Sequence, residues 1–351
     1  MRSPTTDNKQ QPTKPNTEIR HHTSHKKATV MLPSKVRFVT VGKSNLWIRS
    51  LSSSLKLKER IRVTDLGDGI KHVELNRPEK LNALDIEQFH AIAKVAKELR
   101  EDKSLRVVIL SGNGKGFCSG LDVKSIMKPS AEYLTPNSKI RDLLRRPSGY
   151  ESKNDSEGSS FDEYNPQAFG NLAQDVGYLW RQVQAPVISV IHGVCFGGGL
   201  QIALGCDFRY STPDCKLSVM ESKWGLIPDM SASITLRELV RIDVAKELAF
   251  TGRIIDGNEA LQLGLVTRVS ENPLEEAIKT AKLITSRSPD SVAAAKILFQ
   301  KTWVASEEQC LKTETKLQMR LLHSFNQMAS SATNFGIKIP FLDRKDFEEE
   351  K

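Results

Sequence analysis

Two periods alternate along the chain after residue 60. "IRVTDLG" and "IKHVELN" are two short runs of alternating character on either side of Gly67-Asp68-Gly69, which predicts two short strands joined as a hairpin. Next, "DIEQFHAIAKVAKELRED" spaces Ile86, Phe89, Ile92, Val95 and Leu99 three or four apart, with Asp85 placed to cap the helix this spacing predicts. "LRVVILSG" is then apolar almost without interruption and reads as a buried strand. The cycle returns at "APVISVIHG", a strand, followed by a helix over about Gly198–Leu204 and a further strand at "DFRYST". Repeated strand-strand-helix units predict an α/β core with helices packed on the sheet. From about Asp229 onward the pattern is nearly all helical: "TLRELVR", "VAKELAFTG", "NEALQLG", "LEEAIKTAKLITSR", "DSVAAAKILFQKTW" and a long stretch to Met328.

Two segments stand outside this rhythm. Residues 1–60 precede it, and residues 129–166 interrupt it with a polar run too long for an ordinary connection, which predicts an insertion or a flap over a site. The organisation expected is a leader (1–60), a core (61–270) carrying that insertion, and a C-terminal helical region (271–351). At 351 residues and 39% hydrophobic content the chain can bury one large core or two modest ones. The net charge of +9 changes the picture less than it promises. Residues 1–60 hold thirteen Lys and Arg against three acids, which leaves the remainder near −1. A basic tail therefore explains the charge, and no nucleic-acid-binding face is expected.

Within that tail, "SNLWIRSLSSSLKLKER" can form a basic amphipathic stretch and resembles an organelle transit peptide, which points to the mitochondrion, with the plastid or peroxisome as alternatives. A disordered tail that stays attached is the other reading. The C-terminal "FEEEK" is not a peroxisomal address of the SKL type, and no apolar run is long enough to span a membrane. The five cysteines, Cys118, Cys195, Cys206, Cys215 and Cys310, show neither CxxC nor Cys/His metal spacing, so reduced thiols and no metal are expected.

Candidate chemistry concentrates in "HGVCFGGGLQIALGCDFRY", His192 to Tyr210. Glycines between a buried strand and a helix let the backbone approach a ligand closely and aim unpaired N–H groups outward, where they stabilise negative charge. A tight turn with no ligand is the alternative on the glycines alone. A phosphate loop is disfavoured, because neither GxxxxGK[ST] nor a GxGxxG after a strand is present.

A second glycine turn, "GNGKGFCSGLD" (Gly112–Asp122), also follows a buried strand. Together with "VELNRPEKLNAL", "ESKWGLIPD" and "ELAFTGRIIDGNEALQLGLV", in this order and spacing, these stretches resemble the crotonase (enoyl-CoA hydratase/isomerase) superfamily over about residues 61–300. The resemblance implies a spiral of strand-strand-helix turns with a C-terminal helical trimerisation region, assembled as a homotrimer or homohexamer. It also implies an acyl-CoA thioester substrate, with coenzyme A as part of that substrate and no separate cofactor. The backbone N–H groups of Leu121 and Gly198 would form an oxyanion hole. A thioester α-carbon is a poor acid, so its enolate needs preorganised donors, each worth roughly 3–4 kcal/mol. On this reading Gly198 must be small because the carbonyl comes to the backbone itself.

The acids refine the activity. Hydratases of the family carry two glutamates that hold and activate water; here those positions are Gln201 and Glu221. Glutamine cannot transfer a proton at neutral pH. Asp229, in "GLIPDMS", supplies another acid, and the pair Glu221 and Asp229 is similar to that of the Δ3,5-Δ2,4-dienoyl-CoA isomerase branch. That branch usually also has an Asp where this chain has Gln201. The expected catalytic set is Glu221, Asp229 and Gln201, with Gln201 positioning by hydrogen bond. An N-cap on the following helix is the other role open to Asp229.

Arg77 and Lys80 resemble the family's contacts to CoA phosphates. Ser119, Gly120, Asp122 and Gly197 shape the two turns, with Asp122 fixing the one that presents Leu121. Trp224 is expected either to wall an apolar acyl pocket or to pack in the core, and His192 to be a satisfied core histidine. The alternatives to a dienoyl-CoA isomerase are a 2-enoyl-CoA hydratase or a Δ3-Δ2-enoyl-CoA isomerase using Glu221, and a non-catalytic CoA- or RNA-binding crotonase.

Overall fold

The computed structural model describes residues 60–126, 143–144 and 170–347. The leader and almost all of the 129–166 insertion lie outside the described residues, which belong to one compact unit.

The hairpin forms as expected: β1 (Ile61–Asp65) pairs antiparallel with β2 (Ile70–Leu75) across Gly67 and Gly69, both at positive φ. Helix α1 (Ile86–Glu101) follows, and the Asp85 carboxylate accepts from the Gln88 N–H, so the cap read from the sequence is in place. Then come β3 (Val107–Gly112), a single turn at Val123–Ile126, α2 (Leu172–Gln182), β4 (Val187–Ile191), β5 (Val194–Phe196), α3 (Gly198–Leu204), β6 (Phe208–Ser211) and β7 (Lys216–Ser218). The larger sheet runs β1-β2-β3-β4-β6-β8, parallel from β2 onward, where β8 is Arg268–Val269. β5 and β7 form a separate two-stranded parallel sheet. These two strands are three residues each, too short for a periodicity to reveal them.

β3 and β4 are buried along their whole length. Val108 and Leu110 face one cluster with Phe89, Ile92 and Trp180 from α1 and α2, while Val107, Ile109, Ile188 and Val190 face Ala277 and Ala281. This two-sided burial explains the unbroken apolar runs.

The remaining helices are α4 (Ala232–Leu239), α5 (Ile242–Thr251), α6 (Gly257–Gln262), α7 (Pro273–Thr285), α8 (Pro289–Thr302), α9 (Glu307–Leu321) and α10 (Phe325–Asn334). The last stretch is two helices and not one, because Ser324 accepts from the Gln327 N–H and starts a new helix. Asp229 does not cap α4: the N-cap is Ser231, in the left-handed region at φ 74, and its side chain makes no capping bond. α8 is fastened through Lys296, whose buried ammonium donates to Asp207 Oδ2 (2.7 Å) and to the carbonyls of Trp180 and Ala185 (both 3.1 Å). Past α10 the chain returns to the end of the sheet where β3 begins. There the Arg344 guanidinium donates to the carbonyls of Arg100 and Asp102, and Phe347 is buried.

Candidate functional site

Loops leaving the C-terminal ends of the parallel strands converge, which is where open α/β sheets place ligands. After β2 the chain makes a 3-10 turn at Pro78–Lys80 and two left-handed residues, Leu81 (φ 48) and Asn82 (φ 56). Asn82 is fully buried, and its side-chain amide donates to the carbonyls of Asn113 and Gly116 (2.9 Å each) while its Oδ1 accepts from the Arg77 N–H (2.8 Å). One side chain thus ties the loop after β2 to the loop after β3. Asn82 stood inside a motif read from the sequence but was not singled out; its tolerance of positive φ was the available signal.

The loop after β3 ends at Ser119, Gly120, Leu121 and Asp122. Ser119 is held by its N–H on Leu81 O (2.9 Å) and its hydroxyl on Lys80 O (3.3 Å). Leu84 pairs with Leu121 as a parallel bridge: Leu84 N–H donates to Gly120 O and Asp122 N–H to Leu84 O, both at 2.8 Å. These bonds straddle Leu121 and leave its own N–H without a backbone acceptor among the described residues. Gly120 sits at φ 85, and a Cβ there would lie 2.8 Å from Phe196 O and 3.7 Å from the Gly198 nitrogen. The two glycine turns are therefore in contact, and the amides of Leu121 and Gly198 belong to one locus.

Arg77 ion-pairs with Asp122 (2.8 Å) and Asp85 (3.3 Å) and donates to Ala83 O (3.0 Å). Burial works against the Asp122 charge, but donors from Ser125 and Arg77 together hold its carboxyl below the ordinary range. Asp122 therefore fixes the turn, as its place in the motif implied, and Arg77 serves that network. A guanidinium held by two carboxylates is poorly placed to take a phosphate. Lys80 is exposed.

On the other side, Gly197 (φ 49) donates to Ser218 O and comes so close to Glu221 that a Cβ would lie 3.3 Å from its Oε1. Left-handed backbone and this approach both demand glycine. At Gly198 a Cβ would instead meet Met230 Sδ (2.7 Å) and Leu84 Cδ1 (3.0 Å), so a side chain there would have to displace the ends of two packed side chains.

Glu221 opens a 3-10 turn, Glu221–Trp224, after β7. Its Oε1 accepts from Gln201 Nε2 at 2.6 Å, and its Oε2 is buried without a partner. Burial pushes its carboxyl above the usual range, and the nearby charge of Asp229 adds to the push; the Gln201 donor and backbone N–H groups oppose it. Asp229 keeps solvent contact on the open side, yet the protein around it still pushes its carboxyl up. Gln201 is 1% exposed and bonded at both ends, its Oε1 accepting from the N–H groups of Met230 (2.8 Å) and Ala232 (3.3 Å).

Trp224 is 54% exposed and so does not pack in the core; with Leu226 and Ile227 it forms an apolar rim. His192 is half-buried, its Nε2 at 2.9 Å from Gly114 O, so it is satisfied but not a core residue. Cys118 lies beneath this locus, but burial pushes its thiol up to about 12, which removes it as a nucleophile. A cavity of about 470 Å³ opens elsewhere, where β4 and β6 begin, between Arg181, Leu239, Phe299 and Trp303. The charges lining it are already engaged: Arg181 pairs with Glu238 and Lys296 with Asp207, while Arg209 donates to the carbonyls of Leu265 and Cys206. Among the described residues no group of His, Cys, Asp and Glu could hold a metal ion.

Residues 70–280 match the enoyl-CoA hydratase/isomerase family. The chain is 32% identical to the peroxisomal Δ(3,5)-Δ(2,4)-dienoyl-CoA isomerase of Arabidopsis thaliana, over 74% of this chain and 86% of that protein. It is 28% identical to the mitochondrial methylglutaconyl-CoA hydratase of Mus musculus, over 78% and 82%. Its fold matches that of an enoyl-CoA hydratase from Bacillus anthracis with a TM-score of 0.67 at 24% identity, covering 81% of this chain and 99% of that one. A converging pair of glycine turns, a half-buried glutamate beside them and this match over most of the chain lead to one conclusion: the protein belongs to the enoyl-CoA hydratase/isomerase family and has the crotonase fold.

Proposed function

We propose that this protein is an acyl-CoA isomerase that converts 3,5-dienoyl-CoA to 2,4-dienoyl-CoA in fatty-acid β-oxidation. The observation that carries this reading is the pairing of Glu221 with Asp229 while the third acid position holds an amide, Gln201, bonded to Glu221 at 2.6 Å. Glu221 Oε2, buried and unpartnered, takes the proton from C2. The electrons of that C–H bond move into a dienolate whose oxygen is held by the Leu121 and Gly198 N–H groups, each worth roughly 3–4 kcal/mol. Asp229 delivers a proton to C6, and a proton returned from Glu221 to Asp229 completes the cycle. The raised carboxyl of Asp229 suits an acid, and the donor on Glu221 suits a base.

The Trp224, Leu226 and Ile227 rim fits an apolar acyl chain, and exposed Lys80 fits a phosphate of CoA. Oligomerisation as a trimer or hexamer would cover the exposed Phe299, Trp303, Leu311, Met319 and Phe335 of the C-terminal helices. The basic leader would direct import into mitochondria; a reporter fused to residues 1–60 that stays cytosolic would refute that placement.

A second reading is hydration of a 2-enoyl-CoA by Glu221 alone, favoured by the likeness to methylglutaconyl-CoA hydratase. The ultraviolet spectrum separates the two. With 3,5-octadienoyl-CoA, the conjugated 2,4-dienoyl absorbance should appear and be lost in Asp229→Asn. Loss of 2-enoyl absorbance with no action on the diene would establish hydration instead.

A further inference from the structure

Beside Asp229 the backbone does something costly. Ser231 occupies the left-handed region (φ 74, ψ 8), which costs a non-glycine residue roughly 1–2 kcal/mol. Its own hydroxyl is buried with no partner and makes no capping bond, so nothing local repays the strain. What holds the turn is Gln201, whose Oε1 accepts from Met230 and Ala232, the N–H groups on either side of Ser231. From behind, α2 presses close at Gly177, where a Cβ would stand 2.4 Å from Met230 O and 2.7 Å from Ser231 Oγ. The other end of the same amide donates to Glu221 Oε1.

We propose that Gln201 is a positioning residue that couples the base to the acid: one end orients Glu221, and the other holds the strained Ser231 turn that sets Asp229 in place. The inference rests on the isomerase reading for its kinetic consequence, but its structural content stands apart from it.

The chemistry singles out an amide. Reversing the amide would set its NH2 against two N–H donors and its oxygen against the Glu221 carboxylate, so only the observed orientation is consistent. An acid at this position could still accept from Met230 and Ala232. It could not, when ionised, donate to Glu221, and its charge would oppose ionisation of the base. The coupling also leaves Glu221 Oε2 as the one oxygen free to take a proton.

Two variants of nearly equal volume separate the two ends. Gln201→Met removes both; Gln201→Glu keeps an acceptor for the turn and removes the donor. In Gln201→Met, amide hydrogen exchange at Met230 and Ala232 should speed roughly tenfold. The Glu221 carboxyl, followed by carbon-13 NMR, should titrate at higher pH, and kcat on 3,5-octadienoyl-CoA should fall roughly 10- to 100-fold with its acidic limb moved up. Octanoyl-CoA affinity should stay within about threefold, since neither proposed oxyanion donor is touched. In Gln201→Glu, protection at Met230 and Ala232 should persist while Glu221 still titrates higher. Unchanged exchange in Gln201→Met, or an unmoved Glu221 titration in both variants, overturns the coupling. If Gln201→Met does not fold, the same exchange and titration readouts on the neutral, shorter Gln201→Asn decide, unchanged values in both overturning the coupling. Should the wild type leave the diene untouched, the isomerase reading fails while exchange and titration still judge Gln201.

Discussion

Replacing Glu221 by Gln should cut turnover sharply and make the fold more stable. The wild type buries a carboxylate whose Oε2 has no partner, and burial raises its pKa above the ordinary value. A raised acid binds its proton more tightly folded than unfolded. Between the ordinary glutamate value, about 4.3, and the folded value the native state therefore holds more protons, and stability falls as pH rises through that window. Glutamine removes this dependence. Its Oε1 can still accept from Gln201, and its NH2 leaves a neutral group in place of a charged one without a partner, a difference on the order of 1 kcal/mol. That corresponds to a Tm about 2–4 °C above wild type at pH 8. Below pH 4 the gap should close, because the wild-type carboxyl is then protonated in both states. Turnover should drop roughly 10²- to 10⁴-fold. Differential scanning fluorimetry from pH 3 to 8, run beside the dienoyl absorbance assay, tests both halves. A variant no more stable than wild type at pH 8, or a gap that does not vary with pH, refutes the account of Glu221 as a base whose carboxylate is destabilised by burial.

Gly120→Ala forces a side chain into φ 85 with its Cβ 2.8 Å from Phe196 O; urea denaturation should show a loss of roughly 1–2 kcal/mol, and acyl-CoA turnover should fall with it. An unchanged urea midpoint would mean that the two turns separate readily. Lys296→Met leaves the buried carbonyls of Trp180 and Ala185 without their donor and Asp207, half-buried and still accepting from the Val187 N–H, without its cation, so roughly 1–3 kcal/mol of stability should go, read as early loss of α8 protection in hydrogen exchange. Arg77→Ala removes the cation of Asp122, while Asp85 keeps Arg60, so octanoyl-CoA affinity should weaken through a loosened Leu121 turn while the salt dependence of binding stays that of wild type. A flattened salt dependence would instead make Arg77 a phosphate contact.

Much was legible in the chain. The unbroken apolar runs of β3 and β4, the period of α1 with its Asp85 cap, and the glycine turns each depend on neighbours within a few residues, and the local pattern is enough to specify them. The family motifs singled out Leu121, Gly198, Glu221 and Asp229, and the fold brings the Leu121 and Gly198 turns together and Asp229 near Glu221. Other features are decided by residues far apart in sequence and close only in space. β5 and β7 are too short to stand alone and exist because each supplies the other's backbone bonds. Arg77 looked like a cation waiting for phosphate until folding brought Asp85 and Asp122 around it. The N-cap role left open for Asp229 fell only when the helix began at Ala232, with Ser231 at the cap position. Gln201 looked like the loss of an acid; only the fold brings Glu221 and the Ser231 turn to its two ends, twenty and about thirty residues away. Local periodicity selects elements through side-chain burial, whereas a hydrogen bond needs both partners at about 3 Å, and that proximity is a property of the folded chain.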